Sequence, residues 1–211
     1  MKTKTLIALA AMPLFHPFAY GATPDAESLR VPSHLRPSNI PSFMWGADYY
    51  PDQGEIATLD LDAERMKAAG MNTVRMAEFA WDLMEPQEGR FDFSLFDETI
   101  ARLGAKGIRS ILCTPTAAPP RWLTVKHPEI LRVDAAGVVM SHGSRQHVST
   151  CSDVFREYSR RITRAMAEHY RENPYVIGWQ TDNEFHCHFS QDYSSGAGIQ
   201  WVEFLREKFK N

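Results

Sequence analysis

The sequence has little cysteine and no excess of charge of either sign. Its three cysteines, Cys113, Cys151 and Cys187, are odd in number and widely spaced, which excludes a disulfide framework and leaves only a Cys151–Cys187 pair open. Lys and Arg total 23 against 26 Asp and Glu, for a net charge of −3. Because no basic run occurs, nucleic acid is not expected as a partner. No apolar run is long enough to span a bilayer, so a membrane is not expected either.

The N-terminal residues have the pattern of a targeting segment. In residues 1–21, two lysines precede a short apolar stretch, and small residues at 19–21 offer a cleavage site. Residues 22–41 are rich in Pro and Ser and predict a linker. We therefore expect export from a bacterial cell, to the periplasm or beyond, with residues 42–211 forming the folded part.

The folded part alternates between strand and helix patterns. Strands are predicted at 43–50, 73–77, 109–114 and 175–180, and helices at 59–69, 94–106, 153–171 and 199–209. This alternation predicts a parallel sheet with right-handed crossovers. Polar and aromatic residues gather where the strands end, which is typical of a (β/α)8 barrel of the α/β class. A doubly wound sheet is the alternative, but no glycine-rich phosphate loop follows the first strand.

The number of strands sets the expected extent of the barrel. A complete TIM barrel needs about 250 residues and eight strands, so the four predicted strands correspond to about four β/α units, its first half. Between them, residues 78–93 are predicted as a long loop, and Ser94 as the cap of the second helix. Residues 130–140 are predicted as a hairpin within an irregular stretch.

The end of the fourth strand carries the strongest functional signal. Three polar residues, Asp182, Asn183 and Glu184, follow an apolar, β-branched run. Burying them without partners would be costly, so a cleft is expected there. An amide can hold a sugar hydroxyl beside the reacting carbon, and a glutamic acid can protonate a departing glycosidic oxygen. For an isolated Asn-Glu pair, a polar turn would be the simpler interpretation.

Five groups of residues form a series along the chain. They are 46–51 (GADYYP), 74–81 (VRMAEFAW) with 85–86 (EP) and 89–93 (GRFDF), 114–123 (TPTAAPPRWL), 143–147 (GSRQH) and 179–184 (WQTDNE). Each would be weak evidence alone. Together and in this order they resemble glycoside hydrolase family 42, the β-galactosidases, from about residue 43 onwards.

This resemblance implies a retaining hydrolase that removes terminal β-D-galactosyl residues from β-galactosides and needs no cofactor. Glu184 would be the general acid and then the base that activates water. Asn183 would bind the hydroxyl next to the anomeric carbon, and Arg145 would hold another part of the galactose.

Four further residues are expected in supporting roles. Arg75 and Glu78 would lie at or beside the pocket floor, or would form a structural ion pair. Trp81 and Trp122 would either stack on sugar or pack against neighbouring helices.

A retaining mechanism also needs a second carboxylate, about 5 to 5.5 Å from the acid/base. In the family that nucleophile belongs to a later strand, so here it would lie beyond Asn211. Residues 1–211 are then expected to be inactive alone.

Metal ligands are not expected. Some family members carry a four-cysteine zinc site, but the corresponding positions here are Ser149 and residues 191–198, which include no cysteine. Glu184 does lie close in sequence to His186, Cys187 and His188, a set that could bind metal. Loop packing or subsite contacts are the preferred interpretation of these three residues.

Alternatives remain open on substrate and on class. A related retaining glycanase or α-L-arabinopyranosidase would keep the reaction and change the sugar. A non-catalytic or degenerate carbohydrate-binding fragment would be a different class of protein. In the full-length protein, the family resemblance would also allow a homotrimer.

Overall fold

The structure is a computed structural model. It describes residues 40–41, 43–54, 56–143, 145–186 and 189–210. The expected signal peptide at 1–21 and nearly all of the linker at 22–41 lie outside the described residues. Both assignments, and the export that they imply, stay predictions.

Within the described residues, four strands form one parallel sheet. They are β1 (Gly46–Asp48), β2 (Thr73–Met76), β3 (Arg109–Cys113) and β4 (Val176–Gln180). Each strand pairs with the next one along the chain, in the order β1-β2-β3-β4. The predicted parallel sheet is thus confirmed, and its sequential order is consistent with part of an α/β barrel. β1 is shorter than predicted.

Six α-helices connect or follow these strands in the described part of the chain. They are α1 (Leu59–Ala68), α2 (Trp81–Met84), α3 (Ser94–Ala105), α4 (Arg121–Lys126), α5 (Asp153–Tyr170) and α6 (Ser195–Phe209). The loop predicted at 78–93 contains α2, a single turn held in place because Trp81 and Met84 are fully buried. The irregular stretch after β3 likewise contains α4.

Two helix starts differ from the predictions. Ser94 is the first residue of α3 rather than its cap, because the Asp92 carboxylate accepts both its N–H at 3.0 Å and its O–H at 2.6 Å. Helix α6 begins four residues earlier than predicted. The Ser194 hydroxyl accepts the N–H of Ala197 at 3.3 Å, so the helix tolerates the unfavourable Gly196 and Gly198 in its first turn.

The core lies between the sheet and the helices. Val74 and Met76 of β2 are buried, and with Ile100 and Ile162 they belong to one apolar cluster with the helices. Side chains alternate between the two faces of a strand, so Arg75 lies on the opposite face of the sheet. That face carries the polar groups of the candidate site.

The segment that follows α4 forms the predicted hairpin. Asp134 donates its N–H to Val138 at 3.0 Å, and Met140 donates to Arg132 at 2.8 Å. Gly137 takes the left-handed backbone conformation that the turn needs, with φ at 80°. Among the residues described, no helix combines the length and the apolar character needed to cross a bilayer.

Candidate active site

The carboxyl ends of the four strands gather the polar residues of the sheet. Asp48 ends β1, Glu78 follows β2, Cys113 ends β3, and Gln180 ends β4. Because the strands are parallel and sequentially ordered, these ends lie along one edge of the sheet, where α/β barrels place their active sites.

Arg75 connects all four strands, since it lies in β2, contacts Asp48 of β1 and Gln180 of β4, and donates through Nη1 to Cys113 Sγ of β3 at 3.6 Å. Its Nε lies 2.8 Å from Asp48 Oδ1, and its Nη2 lies 2.7 Å from Oδ2 of the same carboxylate. Nη2 also pairs with Glu78 Oε1 at 3.0 Å, and Nη1 donates to Gln180 Oε1 at 2.9 Å. The pKa of Arg75 is raised, chiefly by the hydrogen bond to Asp48. The guanidinium is therefore a fixed positive charge at this edge.

Glu78 is buried, and one of its carboxylate oxygens, Oε1, accepts hydrogen bonds. Its side chain is 1% exposed, and Oε1 accepts from Arg75 and from the Tyr50 hydroxyl at 2.7 Å. Loss of hydration raises the pKa of Tyr50 to about 12, with a further contribution from this hydrogen bond. The predicted Arg75–Glu78 pair is thus formed. Both interpretations of it, pocket floor and structural ion pair, agree with this position.

The turn after β4 has an unusual backbone. Asp182 and Glu184 both have left-handed conformations, with φ of 59° and 45°. Such conformations cost about 1 to 2 kcal/mol for residues other than glycine, and they occur where the surroundings hold them. The turn buries Asn183 while leaving the Glu184 side chain 53% exposed. Glu184 therefore presents its carboxyl group to solvent or to a ligand.

Asn183, Glu184 and Arg145, predicted from sequence as one group, lie together. Asn183 Nδ2 and Arg145 Nη1 are each 3.5 Å from Glu184 Oε2. The Arg145 guanidinium also lies over the Phe79 ring at 5.1 Å, and Phe79 stacks on Tyr50 at 6.3 Å. These contacts connect the loop that carries Arg145 to the ends of both β2 and β4.

Asp182 lies behind this group rather than in it. Its N–H donates to Thr114 Oγ1 at 2.7 Å. Burial raises the pKa of its carboxyl group, while the Asn183 N–H and the Thr116 hydroxyl oppose the shift. Asp182 thus ties the turn to the end of β3.

Two glutamines that the sequence did not single out hold the turn. Gln180 donates to the Asp182 carbonyl at 2.9 Å and to Asn183 Oδ1 at 3.3 Å. Gln146 donates to the carbonyls of Asn183, at 2.9 Å, and of Glu184. For Gln180, the sequence signal is a polar amide in an otherwise apolar strand. That signal does not indicate which groups Gln180 binds, and it does not identify Gln146.

The two predicted tryptophans pack against helix α5. Trp81 is fully buried, contacts Phe155 and donates to Glu85 Oε2 at 2.9 Å. Trp122 donates to the Glu85 carbonyl at 2.8 Å, and its ring meets Tyr158 edge-on at 5.7 Å. Both therefore pack against a helix, and for the partly buried Trp122 the sugar-stacking role stays a prediction. Sugar stacking is excluded for Trp81, because no face of its ring is accessible.

Over the described ranges, no group of three or more His, Cys, Asp or Glu side chains is placed to bind a metal ion. Cys187 and His188 lie outside those ranges. The interpretation of the His186–His188 segment and the Cys151–Cys187 pairing therefore stay open.

Known proteins are similar to this chain in sequence. A family model described as beta-galactosidase, that of glycoside hydrolase family 42, matches residues 48–211. The beta-galactosidase BbgII of Bifidobacterium bifidum is 43% identical over 170 residues, 80% of this chain and 25% of that protein. A beta-galactosidase from Thermus thermophilus is 46% identical over 145 residues, 69% of this chain and 22% of that protein.

Solved structures of beta-galactosidases are similar to this chain in fold. The beta-galactosidase of the psychrophilic Marinomonas ef1 matches with a TM-score of 0.77 and 38% identity, over 80% of this chain and 26% of that one. The enzyme of the haloarchaeon Halorubrum lacusprofundi matches with a TM-score of 0.77 and 39% identity, over 80% of this chain and 25% of that one. The chain spans about a quarter of the length of these relatives. With most of its length matched, the chain belongs to glycoside hydrolase family 42.

Proposed function

We propose that residues 42–211 form about the first four β/α units of the (β/α)8 barrel of a longer retaining β-galactosidase, hereafter the full-length enzyme. The observation that carries this proposal is the position of Asn183 and Glu184 at the end of β4, with Arg145 beside them. Relatives that cover most of this chain are named beta-galactosidases. Terminal β-D-galactosyl residues of β-galactosides are therefore the proposed substrate.

Each of the three residues has a role that fits its position. The half-exposed carboxyl of Glu184 gives its proton to the glycosidic oxygen and later takes one from the attacking water. Asn183 holds the sugar hydroxyl beside the reacting carbon with its amide. Arg145 holds another part of the galactose and stays close to Glu184 Oε2, at 3.5 Å.

The nucleophile is proposed to come from a part of the full-length enzyme outside this chain. Retention needs a second carboxylate about 5 to 5.5 Å from the acid/base. Glu78 does not suit this role, because its side chain is 1% exposed and its Oε1 is occupied by Arg75 and Tyr50. Residues 1–211 alone are therefore expected to bind sugar at most weakly and to show no turnover.

The test compares purified residues 1–211 with the full-length enzyme on p-nitrophenyl glycosides of different sugars. We expect activity only in the longer protein, with β-D-galactoside preferred over β-D-glucoside. Glu184→Gln should lower kcat/KM on lactose-type substrates by about 10²- to 10⁴-fold. Turnover by residues 1–211 alone, or full activity of Glu184→Gln, would contradict the proposal.

The same panel separates the alternatives. A preference for α-L-arabinopyranosides or for longer glycans would favour a related retaining hydrolase. Galactose binding by the full-length protein without turnover would favour a non-catalytic carbohydrate-binding protein. Export and a homotrimer remain part of the proposal, to be tested by fractionation and by light scattering of the full-length enzyme.

A further inference from the structure

Gln180 lies between the charged cluster at β2 and the proposed catalytic turn. Its Oε1 accepts from Arg75 Nη1 at 2.9 Å. Its Nε2 donates to the Asp182 carbonyl at 2.9 Å and to Asn183 Oδ1 at 3.3 Å. One side-chain amide thus connects a guanidinium to the asparagine that is proposed to bind sugar.

The partners of Gln180 allow only one orientation of its amide. A guanidinium can only donate hydrogen bonds, and a backbone carbonyl can only accept them. Gln180 must therefore turn its oxygen to Arg75 and its nitrogen to the Asp182 carbonyl. In that orientation the same nitrogen faces the Asn183 amide.

The orientation of Asn183 follows from that of Gln180. Because an N–H group faces it, the Asn183 amide must present its oxygen to Gln180 and its nitrogen to the opposite side. There Nδ2 lies 3.5 Å from Glu184 Oε2. The order of donors and acceptors runs from Arg75 through Gln180 and Asn183 to Glu184.

Gln146 contacts the same turn in a different way. Its Nε2 donates to two backbone carbonyls of the turn, at 2.9 Å to that of Asn183 and also to that of Glu184. It supports the left-handed backbone at Glu184, where φ is 45°. Gln146 thus offers a matched comparison, a glutamine whose amide holds the backbone of the turn.

We propose that Gln180 is a positioning residue that sets the orientation of the Asn183 amide, so that its nitrogen faces Glu184 and the sugar hydroxyl. This inference rests on the proposed function for its catalytic consequence, but the orientation itself is a property of this chain. A sugar hydroxyl next to the anomeric carbon then meets an N–H donor rather than a carbonyl oxygen.

The test replaces Gln180 with glutamate, which keeps the shape and the acceptor for Arg75 and removes both donors. Asn183 is then expected to flip, turning its nitrogen to the new carboxylate. In the full-length enzyme, Gln180→Glu should lower kcat/KM about 10- to 100-fold on a β-galactoside. On the 2-deoxy-β-galactoside, which lacks the hydroxyl in question, the loss should be under about threefold.

Two further variants separate positioning from a structural role. Gln146→Glu is expected to weaken the backbone of the turn and to lower kcat/KM by the same factor on both substrates. Gln180→Met, which neither accepts nor donates, should show the same dependence on the 2-hydroxyl as Gln180→Glu. An equal loss on both substrates for either Gln180 variant would overturn the inference.

A readout without catalysis keeps this test separate from the proposed function. In ¹⁵N-labelled residues 1–211, Gln180→Glu should shift the side-chain NH₂ signals of Asn183, and Gln146→Glu should shift them less. Unmoved Asn183 signals in a folded Gln180→Glu protein would overturn the inference. If these signals move but the full-length enzyme lacks β-galactosidase activity, the proposed function fails while the orientation of Asn183 stands.

Discussion

The guanidinium of Arg75 and the buried carboxylate of Glu78 form an ion pair, with Nη2 3.0 Å from Oε1. Glu78 is 1% exposed, whereas Arg75 is 24% exposed and also contacts Asp48. Removing a charge from such a pair is more damaging than replacing both partners, because the remaining charge stays buried without compensation. The pair therefore predicts an asymmetry that mutagenesis can measure.

Arg75→Met should destabilise the chain by about 3 to 5 kcal/mol, because Glu78 would be left as an uncompensated buried charge. Urea denaturation of residues 1–211 followed by circular dichroism measures the change. In the double variant Arg75→Met/Glu78→Met, most of the lost stability should return. A double variant less stable than Arg75→Met would contradict this account of the pair.

Trp122→Phe should lower stability by about 1 kcal/mol, since the hydrogen bond to the Glu85 carbonyl at 2.8 Å is lost while most of the packing on Tyr158 is kept. In the full-length enzyme, KM for a β-galactoside should stay within about twofold of wild type. Trp201→Phe is the control, because Trp201 is 59% exposed and its replacement should leave stability nearly unchanged. A tenfold rise in KM with unchanged stability would instead indicate that Trp122 stacks on the sugar.

His147 should make stability depend on pH in the acidic range. The centroids of the imidazole rings of His142 and His147 are 4.8 Å apart. Burial is the main cause that lowers the pKa of His147 from 6.5 to about 4, and the charge of His142 is a smaller one. Between these values the unfolded chain binds a proton that the folded chain does not, so stability falls as the pH falls from about 6.5 to about 4. The contribution of this group reaches about 3 kcal/mol when the pH has fallen below the lower value.

The variant His147→Phe isolates this effect from the carboxyl groups that titrate in the same range. Denaturation midpoints of the wild type and the variant, measured from pH 7.5 to pH 4, should converge or cross as the pH falls. Parallel curves would show that His147 is not the group responsible.

The elements of the fold were accessible from sequence because their signals are local. Apolar runs marked β2, β3 and β4, and the parallel order followed from the alternation with helices. The start of α6 was not accessible, because Gly196 and Gly198 argue against a helix and only the cap at Ser194 explains it. Helix α2 was missed because four residues are too short for a periodic pattern.

The candidate site was accessible only in part. The motifs identify Glu184, Asn183 and Arg145. In the structure, Asn183 Nδ2 and Arg145 Nη1 each lie 3.5 Å from Glu184 Oε2. The roles of Gln180 and Gln146 depend on which atoms face each other after folding. Arg75 and Gln180 are 105 residues apart in sequence, and no local pattern encodes their contact.

The surroundings of the two tryptophans could not be predicted from the sequence either. Trp81 and Trp122 follow strand ends, as sugar-stacking residues do in barrels, but both donate to Glu85 and pack against α5. Trp81 lies in α2, a helix that the sequence did not predict, and Glu85, which accepts from both tryptophans, directly follows that helix.

Azide rescue of Glu184→Ala in the full-length enzyme tests the assignment of Glu184 as the acid/base. Without its acid/base, the enzyme should still form the galactosyl intermediate from a substrate with an activated leaving group, but water should attack it slowly. Azide needs no base, so it should restore turnover and give β-galactosyl azide, with the configuration of the substrate retained. Absence of rescue, or an α-configured product, would contradict the assignment of Glu184 as the acid/base of a retaining β-galactosidase.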